Sequence, residues 1–231
     1  MRSLETPTRP RHDLALTLGL LAALLLWDVS GLDLVVSHGF GSAQGFALRR
    51  AWWARDLLHN GGRALAALVL VAGLAHVWWP RAAGPSTPTR AERLCWTVVV
   101  LASLILVPAL KRLSDTSCPW DLAEFGGVAA TVSHWRFGVA DGGPGHCFPS
   151  GHAVAAFEFF GLYFLWRDRR PGLARAWLIG VAIAGLLFGL AQLVRGAHFV
   201  SHTLWSAWLC WAVAAAVAGW PRGGVRAVVR A

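Results

Sequence analysis

The chain reads as an all-α integral membrane bundle of about six transmembrane helices plus a short interfacial helix, forming a single membrane domain over residues 1–231. Three observations predict this class. Hydrophobic residues make up 56% of the sequence and charged residues 14%, against about 25% charged in an ordinary soluble domain. The apolar residues gather into runs close to the ~20 residues that cross a bilayer core. The arginines stand at the ends of those runs, as topology signals do. A soluble chain of this length has too little interior for so much apolar surface, so lipid is its natural solvent.

The first run covers 14–36 and carries Asp28 and Asp33 near its far end. It is too long for a cleaved signal peptide, and no small-residue cleavage site follows it. The second run, 62–79, ends in Trp78 and Trp79 and is stopped by Pro80. The proline-, serine- and arginine-rich segment 80–93 reads as a linker. Further runs cover 94–110, 151–166, 176–194 and 199–220, the one at 151–166 being the shortest. Between the first two runs, 46–58 (FALRRAWWARDLL) mixes apolar and arginine positions at helical spacing. It is expected to lie along the membrane surface with its tryptophans at headgroup level.

Four segments share one side of a six-span arrangement: the N-terminal tail (Arg2, Arg9, Arg11), the 80–93 linker (Arg81, Arg90, Arg93), the 167–175 loop (Arg167, Arg169, Arg170, Arg175) and the C-terminal tail (Arg222, Arg226, Arg230). The positive-inside rule makes that side cytoplasmic. The opposite side has the longer loops, 37–61 and 111–150, and some arginine of its own at Arg49, Arg50, Arg55 and Arg63. The net charge of +9 is therefore read as topology, and no nucleic-acid partner is expected because no basic stripe with interleaved aromatics occurs. Of the four cysteines, Cys95 and Cys210 lie in apolar runs as small core residues. Cys118 and Cys147 lie in a polar stretch, and no C-x-x-C pattern marks a zinc ribbon or thioredoxin-like site.

Three polar clusters interrupt the apolar chain, and all fall on the outer side of this arrangement. Polar groups at membrane-helix ends cost stability and mark a site by default. In Lys111-Arg-Leu-Ser-Asp-Thr-Ser-Cys-Pro-Trp120, Lys111 is the only lysine in a chain that otherwise uses arginine. It is a compact ammonium aimed at a ligand, or a lysine snorkelling from a helix end. In Cys147-Phe-Pro-Ser-Gly-His152, Pro149 and Ser150 suit a helix start. The amides of Ser150, Gly151 and His152 would then form an anion site, unless this is a plain N-cap with a surface histidine. In Gln192-Leu-Val-Arg-Gly-Ala-His-Phe-Val-Ser-His202, a continuous helix would put Arg195, His198 and His202 on one face. That face offers a guanidinium to grip phosphate and paired imidazoles for nucleophilic attack. His-x-x-x-His also suits zinc, but no His-Glu-x-x-His pattern is present and no metal is expected.

In order, spacing and membrane position the clusters resemble the type 2 phosphatidic acid phosphatase superfamily, whose pattern is Lys-x6-Arg-Pro, Pro-Ser-Gly-His and Ser-Arg-x5-His-x3-Asp. The resemblance spans about residues 94–220. It matches Lys111 and Pro119 to the first motif, Ser150, Gly151 and His152 to the second, and His198 to the nucleophilic histidine of the third. Three positions depart: Cys118 and Gln192 stand at family arginines, and His202 stands at the aspartate. Arg195, three residues from Gln192, is expected to grip the phosphate instead. His202 is expected to accept the ring proton of His198, with Asp115, Asp121 or Glu124 as sources of the missing charge.

The resemblance implies a phosphatase acting at the outer, periplasmic face of a bacterial inner membrane, with both termini cytoplasmic. Phosphate would bind Lys111, Ser150, Gly151, Gln192 and Arg195. His198 would attack phosphorus, and His152 would protonate the leaving oxygen. No metal or organic cofactor is implied. The implied partners are the bilayer and an amphiphilic phosphate, either a lipid phosphate or a polyprenyl diphosphate. A lipid phosphotransferase uses the same residues, and a degenerate anionic-lipid-binding protein is the non-enzyme alternative. Because Cys118 takes the place of the family arginine and lies in the same outer loop as Cys147, a Cys118–Cys147 disulfide is expected across the site. It would close about thirty residues, worth roughly 3–4 kcal/mol on the chain-entropy account.

Overall fold

The structure is a computed structural model, and it describes residues 9–78 and 87–219. Arg2, the first half of the 80–93 linker (80–86) and the C-terminal arginines Arg222, Arg226 and Arg230 lie outside the described residues. The chain folds as an all-α membrane bundle in the order α1 (Arg9–Val29), α2 (Leu32–His38), a two-strand hairpin β1–β2 (Gly41–Ser42 with Gly45–Phe46), a π-helical stretch Trp53–Gly61 leading into α3 (Gly62–Trp78), and α4 (Arg90–Arg112). Then come α5 (Val154–Phe157), a 3-10 turn Glu158–Phe160, α6 (Gly161–Trp166), α7 (Pro171–Val194) and α8 (Val200–Gly219). Among the described residues, five helical stretches are long and apolar enough to cross a membrane, and Val154–Trp166 is a shorter sixth. Leu26, Leu68 and Ile105, all more than 60% exposed, face outward where lipid would lie.

Three expected elements take a different form. The 14–36 run is not one helix: α1 stops at Val29, and Gly31 adopts the left-handed conformation (φ 73°) before α2 begins. A glycine accepts that conformation without a Cβ clash, so the chain bends there. The expected surface helix over 46–58 is not a separate element. Phe46 ends the hairpin, and the turns from Trp53 continue without a break into α3. The helix after Ser150 starts at Val154 rather than at 151, and its middle tightens into 3-10 turns.

The main core lies between α4, α5, α6, α7 and α8, built from Trp96, Val99, Val100, Val107, Phe157, Phe160, Val181 and Trp211. Small residues let the helices meet closely. A Cβ on Gly185 would land on the Phe157 ring, and one on Gly189 would land on Thr203. A second cluster, Phe46, Leu122, Phe125, Ala129 and Phe199, packs the hairpin onto the long loop at one end.

The two ends differ in chemistry. At one, Arg167 donates to Asp13 at 2.6 Å, and Arg169 donates to Glu92 at 3.0 and 2.9 Å. Glu92 also completes a capping box with Thr89 at the start of α4. The starts of α1 and α4 and the α6–α7 turn therefore meet there. The segments 30–52, 113–153 and 195–199 gather at the other end, and these carry the three polar clusters.

Candidate active site

The loop 113–153 is tied to itself before it reaches the site. The Ser117 amide and hydroxyl donate to Asp141 at 2.6 and 2.8 Å, and the Gly145 amide donates to the Ser117 hydroxyl at 3.0 Å. The amides of His146 and Cys147 donate to the carbonyls of Ser114 and Thr116, both at 2.8 Å. The segment after Lys111 thus runs beside the segment before Ser150. A disulfide joins Cys118 to Cys147 across this seam, with alpha carbons 5.1 Å apart.

Lys111, near the end of α4, extends its stem over Gly151, where a Cβ would stand 3.5 Å from Lys111 Cδ. Ser150 is held from both sides by α8. Its amide donates to the His202 carbonyl at 2.9 Å, and its carbonyl accepts from the Ser206 hydroxyl at 2.7 Å. The Ser150 amide is therefore not available to an anion as the sequence suggested. Its hydroxyl, by contrast, is buried without a hydrogen-bond partner. A buried hydroxyl in that state is costly unless a ligand completes it.

The histidines meet at the start of α8. The rings of His152 and His198 have centroids 5.7 Å apart, and His198 Nδ1 lies 3.4 Å from His202 Nδ1. His198 and His202 are 2% and 1% exposed, so solvent does not replace either partner. Burial holds the His198 imidazole well below the ordinary histidine range, and the charges of Lys111, His202 and His152 push the same way. The ring is thus neutral at pH 7 and keeps a lone pair for attack. One Nδ1 must carry the proton and the other accept it. With His198 as donor, its Nε2 keeps a lone pair.

The expected helical face carrying Arg195, His198 and His202 does not form. Helix α7 ends at Val194, Gly196 takes φ 73°, and the amides of Gly196 and Ala197 close back on the carbonyls of Leu193 and Gln192. That left-handed stop turns the chain before His198. Arg195 instead donates through Nε to the Arg49 carbonyl at 3.1 Å and through Nη1 to Gln192 Oε1 at 3.2 Å. Its guanidinium stands 5.9 Å from the Trp120 ring centroid. Gln192 and Arg195, both buried, are thereby joined to each other beside Arg49 and Trp120, while Lys111, Ser150, His152, His198 and His202 form the histidine group.

Among the described residues, Asp115, Asp121 and Glu124 make no side-chain hydrogen bond to His198 or His202; Glu124, for one, accepts from Thr131 and faces His38. The carboxylates near the site come from the first apolar run. Asp33 accepts from Trp27 and from the Ser201 amide and hydroxyl. Asp28 accepts from Trp205 Nε1 at 2.9 Å, Trp135 Nε1 at 3.0 Å and His134 Nε2 at 3.3 Å. An acid inside an apolar span was the readable signal for both. Nothing local marked His134. The Cys147 sulfur lies 3.4 Å from His198 Nδ1. Cys118, Cys147 and His198 offer donor atoms within 4.8 Å of one another, but two sulfurs bonded to each other present no thiolate for a metal.

The sequence pattern described as the PAP2 superfamily matches residues 93–225. No curated protein matches the chain. Among solved structures, the chain is similar to a transmembrane PAP2-type phosphatidylglycerolphosphate phosphatase from Bacillus subtilis, at 20% identity and a TM-score of 0.55. That match covers 91% of this chain and 94% of the other, and it supports the all-α membrane fold.

Proposed function

Since the chain belongs to the PAP2 superfamily, we propose that it is a membrane-embedded phosphatase that hydrolyses a lipid phosphate or polyprenyl diphosphate at the outer face of a bacterial inner membrane. The observation that carries this reading is the buried His198 ring, neutral and backed at 3.4 Å by His202. Lys111 and the unpartnered Ser150 hydroxyl supply charge and a donor to the phosphate oxygens, the electrostatic help on which phosphoryl transfer depends. His198 Nε2 forms a bond to phosphorus as the bond to the leaving oxygen breaks. His152 gives its proton to that oxygen. Water, deprotonated by His152, then attacks the phosphohistidine, releasing inorganic phosphate and restoring both histidines.

The position of the site supports the topology. The disulfide lies at the end that carries the site, which suits an oxidising compartment. Arg167 and Arg169 lie at the other end, as a cytoplasmic face requires. The apolar exterior favours an amphiphilic substrate that arrives from the bilayer. The engagement of Arg195 by the Arg49 carbonyl and Gln192 is the one observation that favours the non-enzyme reading, because its Nε and Nη1 donors are already taken. Phosphate release from phosphatidic acid and farnesyl diphosphate in detergent micelles tests the proposal. Turnover by the wild type and none by His198→Ala is expected. Equal release by both would overturn it.

A further inference from the structure

We infer that Asp28 and His134 form a positioning pair that sets the ring of His202, and through it His198; the inference rests on the phosphatase reading above. A carboxylate at position 202 could receive the His198 proton on either oxygen and in several directions. A neutral imidazole has a single accepting nitrogen in the ring plane, so it works in one tautomer and one orientation. Placing histidine where the family pattern has aspartate therefore makes ring orientation a requirement, and a buried His202 has no water to correct a poor angle.

The surroundings meet that requirement. The His134 ring stacks on Phe148 with centroids 3.9 Å apart and planes 10° from parallel. Phe148 and His134 each meet the His202 ring nearly edge-on, at 5.3 Å and 76° and at 6.1 Å and 83°. Phe199 stands nearly perpendicular to His202 as well, at 5.3 Å. Rotation of His202 away from His198 would run into these rings. The stacked pair is itself fixed by the bond from His134 Nε2 to Asp28 Oδ2. Asp28 is held in turn by Trp205, one turn beyond His202 on α8, and its side chain is 2% exposed. A continuous path therefore runs from Asp28 to His134, Phe148, His202 and His198. A plain tie between α1 and α8 would need only the Trp205 bond. It would not need a histidine stacked on the residue two before Ser150.

The test compares Asp28→Asn, His134→Gln and His134→Phe in purified full-length protein, using phosphatidic acid and farnesyl diphosphate in micelles. Because small misplacements of a reacting group cost up to ~100-fold, Asp28→Asn and His134→Gln should lower kcat at least ~10-fold. KM should stay within about twofold and the thermal midpoint near wild type. His134→Phe keeps a ring against Phe148 but loses the bond to Asp28, so its kcat should fall about as far as that of Asp28→Asn. Nitrogen-15 spectra of the histidine rings should show one tautomer at the His198–His202 pair in the wild type and a mixture in Asp28→Asn. Unchanged kcat, or kcat falling only in step with the folded fraction, would overturn the inference, as would a phenylalanine variant that matches the wild type. If the wild type releases no phosphate from either lipid, the phosphatase proposal fails, and the tautomer comparison still decides whether Asp28 and His134 set the ring.

Discussion

The first two spanning stretches and the last three long ones are built on different terms. Arg11–Val29 and Trp53–Ala75 bury 11% and 12% of their most apolar windows, against 33%, 39% and 44% for Arg90–Arg112, Pro171–Val194 and Val200–Gly219. The later helices form a packed core in which glycines admit neighbouring rings, and every residue of the inner histidine group lies on them or in their loops. The early helices mostly face lipid, yet three polar side chains of the first apolar run turn inward. Thr17 accepts from Trp211 Nε1 at 3.0 Å, Asp28 gathers three donors, and Asp33 holds the start of α8. One half of the chain carries the proposed chemistry, and the start of the other braces it through isolated polar contacts. In a bilayer such contacts count because an unsatisfied polar group has no water to turn to.

The comparison would be broken most severely by a chemical residue in the later half behaving like a bracing one. Lys111→Ala should lower kcat by about 10²–10³, the range for losing one preorganised donor at a developing charge, measured as phosphate release. A loss under about tenfold would move Lys111 out of the chemical group. Packing gives a smaller contrast. Gly185→Ala forces a Cβ onto the Phe157 ring and should cost about 1–3 kcal/mol. Leu68→Ala, at a position 65% exposed, should stay within about 0.5 kcal/mol. Thermal midpoints in detergent check both, and equal losses would erase the difference between the halves.

The weakest effect expected is on pH dependence, and between pH 7 and 5 it comes from His198 in the later half. His198 sits well below its unfolded value of 6.5, so below that pH the unfolded chain binds more protons than the folded one. Stability is then intact above about 6.5 and is lost as pH falls from there toward the folded value. The thermal midpoint should drop on acidification from pH 7 to 5, and less so in His198→Phe. A midpoint that rises on acidification would contradict the buried neutral ring.

Local pattern carried much of this architecture. Six apolar runs announced the bundle, and the order of Lys111, Ser150, Gly151, His152, His198 and His202 announced a shared site; the structure brings all six to one end. What local pattern missed depends on two features. The first is the backbone at single glycines. Gly31 divides the first run, and Gly196 turns the chain between Arg195 and His198, so these residues do not share the face of one helix. The second is distance along the chain. Asp28 meets His134 across 106 residues and Trp205 across 177, and no spacing rule reaches that far. The candidates nearer in sequence sit in the right loop, but Asp121 faces Trp120 and Arg49, and Glu124 faces Thr131 and His38.

The claim that His198 is the nucleophile is tested most directly by trapping the phosphoenzyme. Purified protein is mixed with phosphorus-32-labelled phosphatidic acid or farnesyl diphosphate, quenched in alkali within milliseconds, and assayed for acid-labile protein-bound label. The account predicts label on the wild type, mapped to His198, and none on His198→Ala. Label of equal amount and lability on His198→Ala would contradict it.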